Sequence, residues 1–249
     1  AAIAAYPPRP GDRVLDVGCG FGDTTQRLAG LVGDGEALGV DVAAPFIELA
    51  KREAAEAGVA STSFRVADVQ VAELGGPFDY VFSRMGIMFF ANPVAALTNI
   101  RSAMNPGARL CAAVWRRKLD NDWMHRAELV ADQYLEPPEE TDEPTCGPGP
   151  FSMANADTVT EQLKIAGFEE IALRRCDIPI KIGEDLDGAV DLMLAIGPAG
   201  ELLRLWGDRI DEIRPKITRE IREALTEFEG PDGVLAPAST WLIGATAAT

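Results

Sequence analysis

Val14-Leu15-Asp16-Val17-Gly18-Cys19-Gly20-Phe21-Gly22 decides how this chain is read. A buried-type apolar run carrying one acid ends in alternating glycines, and Thr24-Thr25-Gln26-Arg27-Leu28-Ala29 follows with helical character. The pattern predicts a strand, a tight turn and a helix start. Glycine lets the backbone turn at positive φ and removes the Cβ that would bump a ligand. The helix start presents unsatisfied N–H groups. Such a turn is built to take a nucleotide, and the surrounding residues decide which one.

The dinucleotide fingerprint G-x-G-x-x-G seats a pyrophosphate on the helix N-terminus. Here the third glycine, Gly22, comes one position early, and Asp16 stands just before the loop. An acid there repels a pyrophosphate and suits a cationic ligand with an amino group. S-adenosylmethionine (SAM) carries an ammonium and a sulfonium and has no phosphate. The D-x-G-x-G-x-G form resembles the first motif of class I SAM-dependent methyltransferases.

The following segments fit in order and spacing. Gly35-Glu36-Ala37-Leu38-Gly39-Val40-Asp41 reads as a second strand ending in an acid, placed to accept both hydroxyls of a ribose. Phe46 to Ala57 reads as a helix. Ser63-Phe64-Arg65-Val66-Ala67-Asp68-Val69 reads as a third strand ending in Asp68, and Phe78-Asp79-Tyr80-Val81-Phe82-Ser83-Arg84 as a fourth. Asn92-Pro93 opens a helix expected to run through Met104. Asn105-Pro106-Gly107-Ala108-Arg109-Leu110 into Trp115 is similar to the family's L-x-P-G-G-x-L turn into strand five, with Asn105 and Ala108 as departures. The resemblance covers Arg13 to Trp115, and within the family it looks nearest to the ubiquinone-biosynthesis-type branch acting on small molecules.

That resemblance implies roles for particular residues. Gly18, Cys19, Gly20 and Gly22 would shape the loop under the methionine part of SAM, with Asp16 helping to hold its ammonium. Asp41 and Val42 would meet the ribose side. Asp68 would accept from the adenine amine, and Ala67 and Val69 would border the base, Val69 through its backbone. Ser83, Arg84 and Met85 would sit near the methyl group. S-adenosylhomocysteine would be the product. As a small filler in a glycine loop, Cys19 reads as structural rather than nucleophilic.

The chain has 249 residues, 47% of them hydrophobic and 25% charged, which suits one globular domain or a domain with a lid. No apolar run is long enough to span a membrane. The opening residues show no secretory leader pattern, and the chain starts on Ala1, so further residues are expected before it. The net charge of -16 argues against nucleic acid, whose binding needs a basic surface. Arg116-Arg117-Lys118 and Arg174-Arg175 are short basic runs that read as solvated loop and strand-end charge. Cys19, Cys111, Cys146 and Cys176 have no C-x-x-C spacing, as in a reduced cytoplasmic protein with neither structural disulfide nor zinc.

Strands alternate with helices from 13 to 115, which predicts an α/β, doubly wound, seven-stranded and mostly parallel sheet with the last strand antiparallel. Beyond Trp115 the alternation is interrupted. Trp123 to Leu135 reads as a helix, Glu136 to Pro150 as an acidic, proline-rich loop, and Asn155 to Ala166 as a helix stopped by Gly167. Ile171 to Ile180 reads as strand six. Leu186 to Phe228 reads as helical with breaks near Gly197-Pro198 and Pro215, and Ser239 to Thr246 as the last strand, expected between strands five and six. The resulting division is a SAM-binding core at 1–115, a lid insert at 116–150, core again at 151–182, a helical lid insert at 183–230 and the last core strand at 231–249. Val190, Met193, Leu194, Leu202, Leu203, Leu205, Trp206, Ile210 and Ile213 give the second insert an apolar face, read as internal packing with part lining an acceptor pocket. Met85, Met88, Phe89 and Phe90 follow strand four, where open α/β sheets bind ligands.

Methyl transfer from SAM is an in-line displacement at an activated carbon, so alignment and exclusion of water are the main demands. A base is needed only if the acceptor loses a proton. His125 is the sole histidine and the candidate for that role, with Asp120, Asp122 and Tyr134 as nearby alternatives. No His, Cys and Asp set has metal-ligand spacing. The expected partner is a small, partly apolar acceptor. The competing readings are a protein methyltransferase, a SAM-binding or partner-support protein without catalysis, and an NAD-dependent oxidoreductase. The last lacks the Tyr-x-x-x-Lys pair of short-chain dehydrogenases.

Overall fold

Parallel strands buried on both faces read as near-continuous apolar runs, and β1 (Arg13–Val17) is the one around which the chain builds its sheet. Val14, Leu15 and Val17 are buried, and Asp16 is buried with them. The computed structural model describes residues 1–135, 149–206 and 210–249. The acidic loop from Glu136 and Cys146 within it lie outside the described residues, as do the side chains of Leu205 and Trp206. By internal contacts the chain divides into two units. The first is Ala1–Trp115, Gly147–Cys176 and Trp241–Thr249; the second is Arg116–Cys146 and Asp177–Thr240.

In the first unit a short helix α1 (Ala2–Ala5) precedes β1, followed by α2 (Asp23–Val32), β2 (Glu36–Asp41), α3 (Ala44–Ala57), β3 (Thr62–Val66) and β4 (Phe78–Arg84). Then come α4 (Pro93–Ser102), β5 (Met104–Trp115), α6 (Ala156–Ile165), β6 (Phe168–Gly183) and β8 (Gly233–Ala247), the last two continuing into the second unit. Among the described residues the sheet has eight strands in the order β3-β2-β1-β4-β5-β8-β6, with β7 (Glu229–Gly230) paired to β8. Strands β1 to β5 pair in parallel, and β8 is antiparallel, seated between β5 and β6 as expected. One core layer joins β1, β4 and β5 to Leu97 and Ile100 of α4 and to Val159 and Leu163 of α6. The other joins Val14, Tyr80 and Phe82 to Leu28 and Val32 of α2 and to Ala2. Helices on both faces make the sheet doubly wound.

Local chemistry sets the helix ends. Asn92 caps α4 by accepting from Ala95 N at 3.0 Å, with Pro93 at the first helical position, where its missing N–H costs nothing. Asn155 caps α6 by accepting from Thr158 N at 3.0 Å. Gly58 closes α3 in the left-handed region at φ 69°, and Gly167 follows α6 at φ 87°.

Several boundaries differ from the sequence reading. β3 stops at Val66 rather than Val69, because Asp68 Oδ1 accepts from Gln70 N at 2.9 Å and turns the chain out of the ladder. α4 ends at Ser102, and Met104 opens β5. β6 and β8 are 16 and 15 residues long, well beyond the segments expected. Their outer parts, 177–183 and 233–240, belong to the second unit, so the unit bounds differ from those expected at 150, 182 and 230. Pro179 lies inside β6 and Pro237 inside β8, where sheet edges and irregularities tolerate proline.

The second unit contains α5 (Asp122–Asp132), α7 (Leu186–Ala195), α8 (Gly197–Trp206) and α9 (Arg214–Leu225). Helix α5 packs on α8 and α9, and α7 on both of those. Val190, Met193, Leu202, Leu203 and Ile210 are buried, as internal packing requires. Arg116 corrects the reading of its basic run as solvated: it is 7% exposed. Its guanidinium donates to Ser239 Oγ at 2.9 Å and pairs with Asp120 at 3.2 Å, while Asn121, fully buried, exchanges hydrogen bonds with the Ser239 backbone. A buried charge is tolerable when paired in this way. No described helix is long and apolar enough to cross a membrane.

Candidate cofactor site

Strand order reverses beside β1: β2 and β3 lie on one side of it and β4 on the other. Ligands of open α/β sheets bind at such a switch point, outside the C-terminal ends of the strands. The first unit brings together there the glycine loop after β1, Asp41 and Val42 after β2, Ala67 to Val69 after β3, and Ser83 to Met85 at the end of β4.

The three loop glycines serve different needs. Gly18 sits at φ 68°, and a Cβ on it would lie 2.7 Å from the Gly86 α carbon. Gly22, at φ 82°, would place a Cβ 2.7 Å from the Phe64 ring and 2.9 Å from Ala50. Those two are required by packing. Gly20, at φ 54°, has nothing within 4 Å of its missing Cβ. It is the position where open space remains for a ligand. The loop is tied to β2 by Gly18 N and Cys19 N, which donate to Val40 O at 2.8 and 3.1 Å. Burial pushes the Cys19 thiol well above the usual range, which leaves it inert, as its reading as a filler requires.

Asp41 holds the loop from the side. Its Oδ2 accepts from Gly20 N at 3.0 Å and its Oδ1 from Ala43 N at 2.9 Å. Each carboxylate oxygen has a second lone pair, so both can still accept from a diol. Val42 beside it is 68% exposed. Asp16 lies beneath the loop, 1% exposed, where Thr25 Oγ1 donates to its Oδ2 at 2.7 Å. Burial pushes its carboxyl up to about 7, against the pull of the Thr25 hydrogen bond and of Arg84. At that exposure it offers a ligand its field rather than an open carboxylate face.

Asp68 is exposed, and its carboxylate receives the backbone and side-chain N–H of Gln70 at 2.9 and 3.2 Å. Ala67 N donates to Asp41 O at 2.9 Å, which joins the two acid-bearing turns. Val69 is buried, and Asn99 Nδ2 donates to its carbonyl and to Ala72 O, each at 2.8 Å. On β4, Ser83 is buried and its hydroxyl donates to Val17 O at 2.8 Å, so it braces β1 rather than facing a ligand. Arg84 pairs with Asp23 of α2 at 2.9 Å. Met85 holds φ 60°, a left-handed conformation uncommon for a residue with a side chain and concentrated at functional sites. The run after β4 divides: Ile87 and Met88 are core, Met85 and Phe90 pack partly against it, and Phe89 is exposed.

Sequence reasoning missed Gly86, Phe64, Thr25, Gln70 and Asn99. Gly86 comes two residues after the strand-four run and was the readable signal; the others act through contacts between elements. A groove of about 390 Å³ between α3 and the start of β3, lined by Lys51, Ala54, Val59 and Phe64, lies at the other end of the strand and carries no acid.

His125 belongs to the second unit. Its Nδ1 is 3.5 Å from Glu128 Oε2, and Lys118 pairs with the other oxygen of Glu128 at 2.6 Å. Of the alternatives, Asp120 pairs with Arg116 and Arg117, Asp122 with Arg126, and Tyr134 donates to Glu220. All three are engaged in structural contacts.

A family model described as a methyltransferase domain matches residues 8–145, more than half of the chain and all of the glycine loop, Asp41 and Asp68 turns. The chain belongs to the methyltransferase domain family. Two curated relatives support the placement among class I SAM-dependent methyltransferases. Nocamycin O-methyltransferase of Saccharothrix syringae is 35% identical over 105 residues, 41% of this chain and 38% of that protein. A ubiquinone biosynthesis O-methyltransferase of Cereibacter sphaeroides is 31% identical over 115 residues, 46% of each. The chain thus spans less than half the length of these relatives. The YcgJ protein of Bacillus subtilis has the same fold, with a TM-score of 0.64, 14% identity and coverage of 99% of this chain and 96% of that one. The cofactor of this methyltransferase family is SAM. The residues fit it: an open glycine at the loop tip, an acid after β2 with lone pairs to spare, an exposed acid after β3, and carboxylates that would repel a pyrophosphate.

Proposed function

We propose that this chain transfers a methyl group from SAM to a small, partly apolar acceptor. One observation carries the choice of cofactor. Asp23 and Asp41 lie close enough to the buried Asp16 beneath the glycine loop to act on its charge, and Arg84, a cation near Asp16, is paired with Asp23. That field repels a pyrophosphate and attracts an ammonium or a sulfonium.

In this reading the Gly20 turn receives the methionine part of the cofactor, and Asp16 contributes its charge to the ammonium from below. Asp41 accepts from the ribose hydroxyls, with Val42 as an apolar neighbour. Asp68 accepts from the adenine amine, and Ala67 and Val69 border the base. Arg84 and Met85 stand toward the methyl, and Ser83 holds β4 against β1. SAM, when bound, supplies a methyl carbon already activated by its sulfonium. The chain's own contribution is then alignment and the exclusion of water. Where the acceptor carries an acidic hydroxyl, His125 takes its proton, with Glu128 fixing the ring. The apolar side chains after β4, Phe89 foremost, and the small-molecule names of the relatives support a small acceptor.

The test is turnover. The protein is incubated with SAM and a pool of hydroxylated small molecules, and S-adenosylhomocysteine and methyl-shifted masses are followed. S-adenosylhomocysteine formed together with a methylated small molecule is the expected result. Methylation confined to basic protein tails would contradict the acceptor assignment, and no S-adenosylhomocysteine with any acceptor would contradict the activity.

A further inference from the structure

We infer that Phe21 and Phe46 form an aromatic latch that holds the glycine loop in its cofactor-binding position and slows release of SAM. The inference rests on the SAM reading above. Both rings are large apolar groups left 48% and 41% exposed, so core packing does not account for them. They meet edge to face, with centroids 4.7 Å apart and an interplanar angle of 62°, the arrangement that the ring quadrupole favours.

Their placement gives the contact its purpose. Asp41 bridges Gly20 N and Ala43 N. Phe21 is the next residue after Gly20, and Phe46 lies in the first turn of α3, its N–H donating to Ala43 O at 3.0 Å. The ring pair therefore repeats, on the outside, the link between loop and helix that Asp41 makes on the inside. The two links respond differently to a ligand. Asp41 is the acceptor assigned to the ribose, so its oxygens are shared once a diol arrives. The ring contact involves no group that a ribose needs. The base of the loop is held by Val40 O and by the packing of Gly18 and Gly22; at the tip, Cys19 is a buried side chain and a Cβ on Gly20 would meet nothing within 4 Å. Phe21 is the loop's outward anchor, and Phe46 is what it holds.

The test compares wild type, Phe21→Ala, Phe46→Ala and the double variant. SAM dissociation is measured by rapid mixing, SAM affinity by calorimetry, and the melting midpoint without ligand in each. The latch predicts that either single change speeds SAM dissociation by about three- to tenfold, the size of one aromatic pair. It also predicts that the double variant is no faster than the faster single, because the two residues act as one contact. Phe21→Tyr, which keeps the ring, retains the wild-type rate, and the ligand-free midpoint of each variant falls by a few degrees at most, so every variant is folded when SAM is added. Wild-type SAM kinetics in both single variants, or single effects that multiply in the double, would overturn the latch alone. Failure of the wild type itself to bind SAM would overturn the cofactor reading and the latch with it, so the two failures are distinct.

Discussion

The Gly86 α carbon occupies the place where a side chain on Gly18 would begin, 2.7 Å from an ideal Cβ there, and Gly86 would in turn drive a Cβ to 2.7 Å from Val17 O. The turns after β1 and β4 are thus packed backbone to backbone at the switch point. Gly18→Ala combines left-handed strain with a clash against backbone and should cost about 2–4 kcal/mol of stability. Gly20→Ala meets no neighbour and should cost only about 1 kcal/mol, while its methyl enters the ligand's space. Melting curves and SAM calorimetry on the two variants are expected to separate them: Gly18→Ala loses folding stability, and Gly20→Ala keeps its fold and loses affinity. Equal melting midpoints would refute the division of roles.

Asp41→Ala removes acceptors for the ribose and for two backbone N–H groups. SAM affinity should fall by roughly tenfold to a hundredfold, which corresponds to about 1.4–2.7 kcal/mol for charge-assisted hydrogen bonds. The melting point should also drop, because the Gly20 and Ala43 donors are left unpaired. A SAM analogue whose purine lacks the exocyclic amine should bind more weakly to wild type and equally to wild type and Asp68→Ala. Undiminished SAM binding in Asp41→Ala would sink the ribose assignment.

Asp16 makes the site sensitive to pH. Its carboxyl is pushed up to about 7 in the folded chain from an ordinary value of 3.8. Between those values the folded state holds a proton that the unfolded state has released. Stability therefore falls as pH rises from about 4 to 7 and levels off above. Asp16→Asn should flatten that slope. A cationic ligand favours the ionised form, so SAM should bind more tightly as pH rises toward 7, with proton release below it. Calorimetry in buffers of different ionisation enthalpy counts those protons. No proton release at pH 6 in wild type would contradict the coupling.

His125→Ala tests whether a base is used. With a phenolic or other acidic hydroxyl acceptor, turnover should fall by at least about a hundredfold while SAM affinity stays unchanged. Glu128→Gln should give a smaller loss through the same ring. Turnover equal to wild type in His125→Ala would leave catalysis to alignment and desolvation.

The core elements were legible because each had local chemistry of its own. The glycine loop, Asp41 after a strand, and the Asn92 and Asn155 caps declare themselves within a few residues. The end of β3 was not legible, because it depends on Asp68 folding back onto Gln70. The length of β6 and β8 was hidden because their ends leave the apolar pattern, as at Glu169 and Glu170 in β6 and at Pro237 in β8. The burial of Arg116 comes from Asp120, Asp177 and Ser239, the last two distant in sequence. Thr25 under Asp16, Phe64 under Gly22 and Gly86 against Gly18 are contacts between elements, which no local pattern encodes.

The central claim is that the acids around the glycine loop select SAM over a dinucleotide. Calorimetric titration of the unmodified chain with SAM, S-adenosylhomocysteine and NADH tests it most directly. Saturable binding of SAM and S-adenosylhomocysteine below millimolar concentration, and none of NADH, is the expected result. Saturable NADH binding, with no heat from SAM at millimolar concentration, would contradict it.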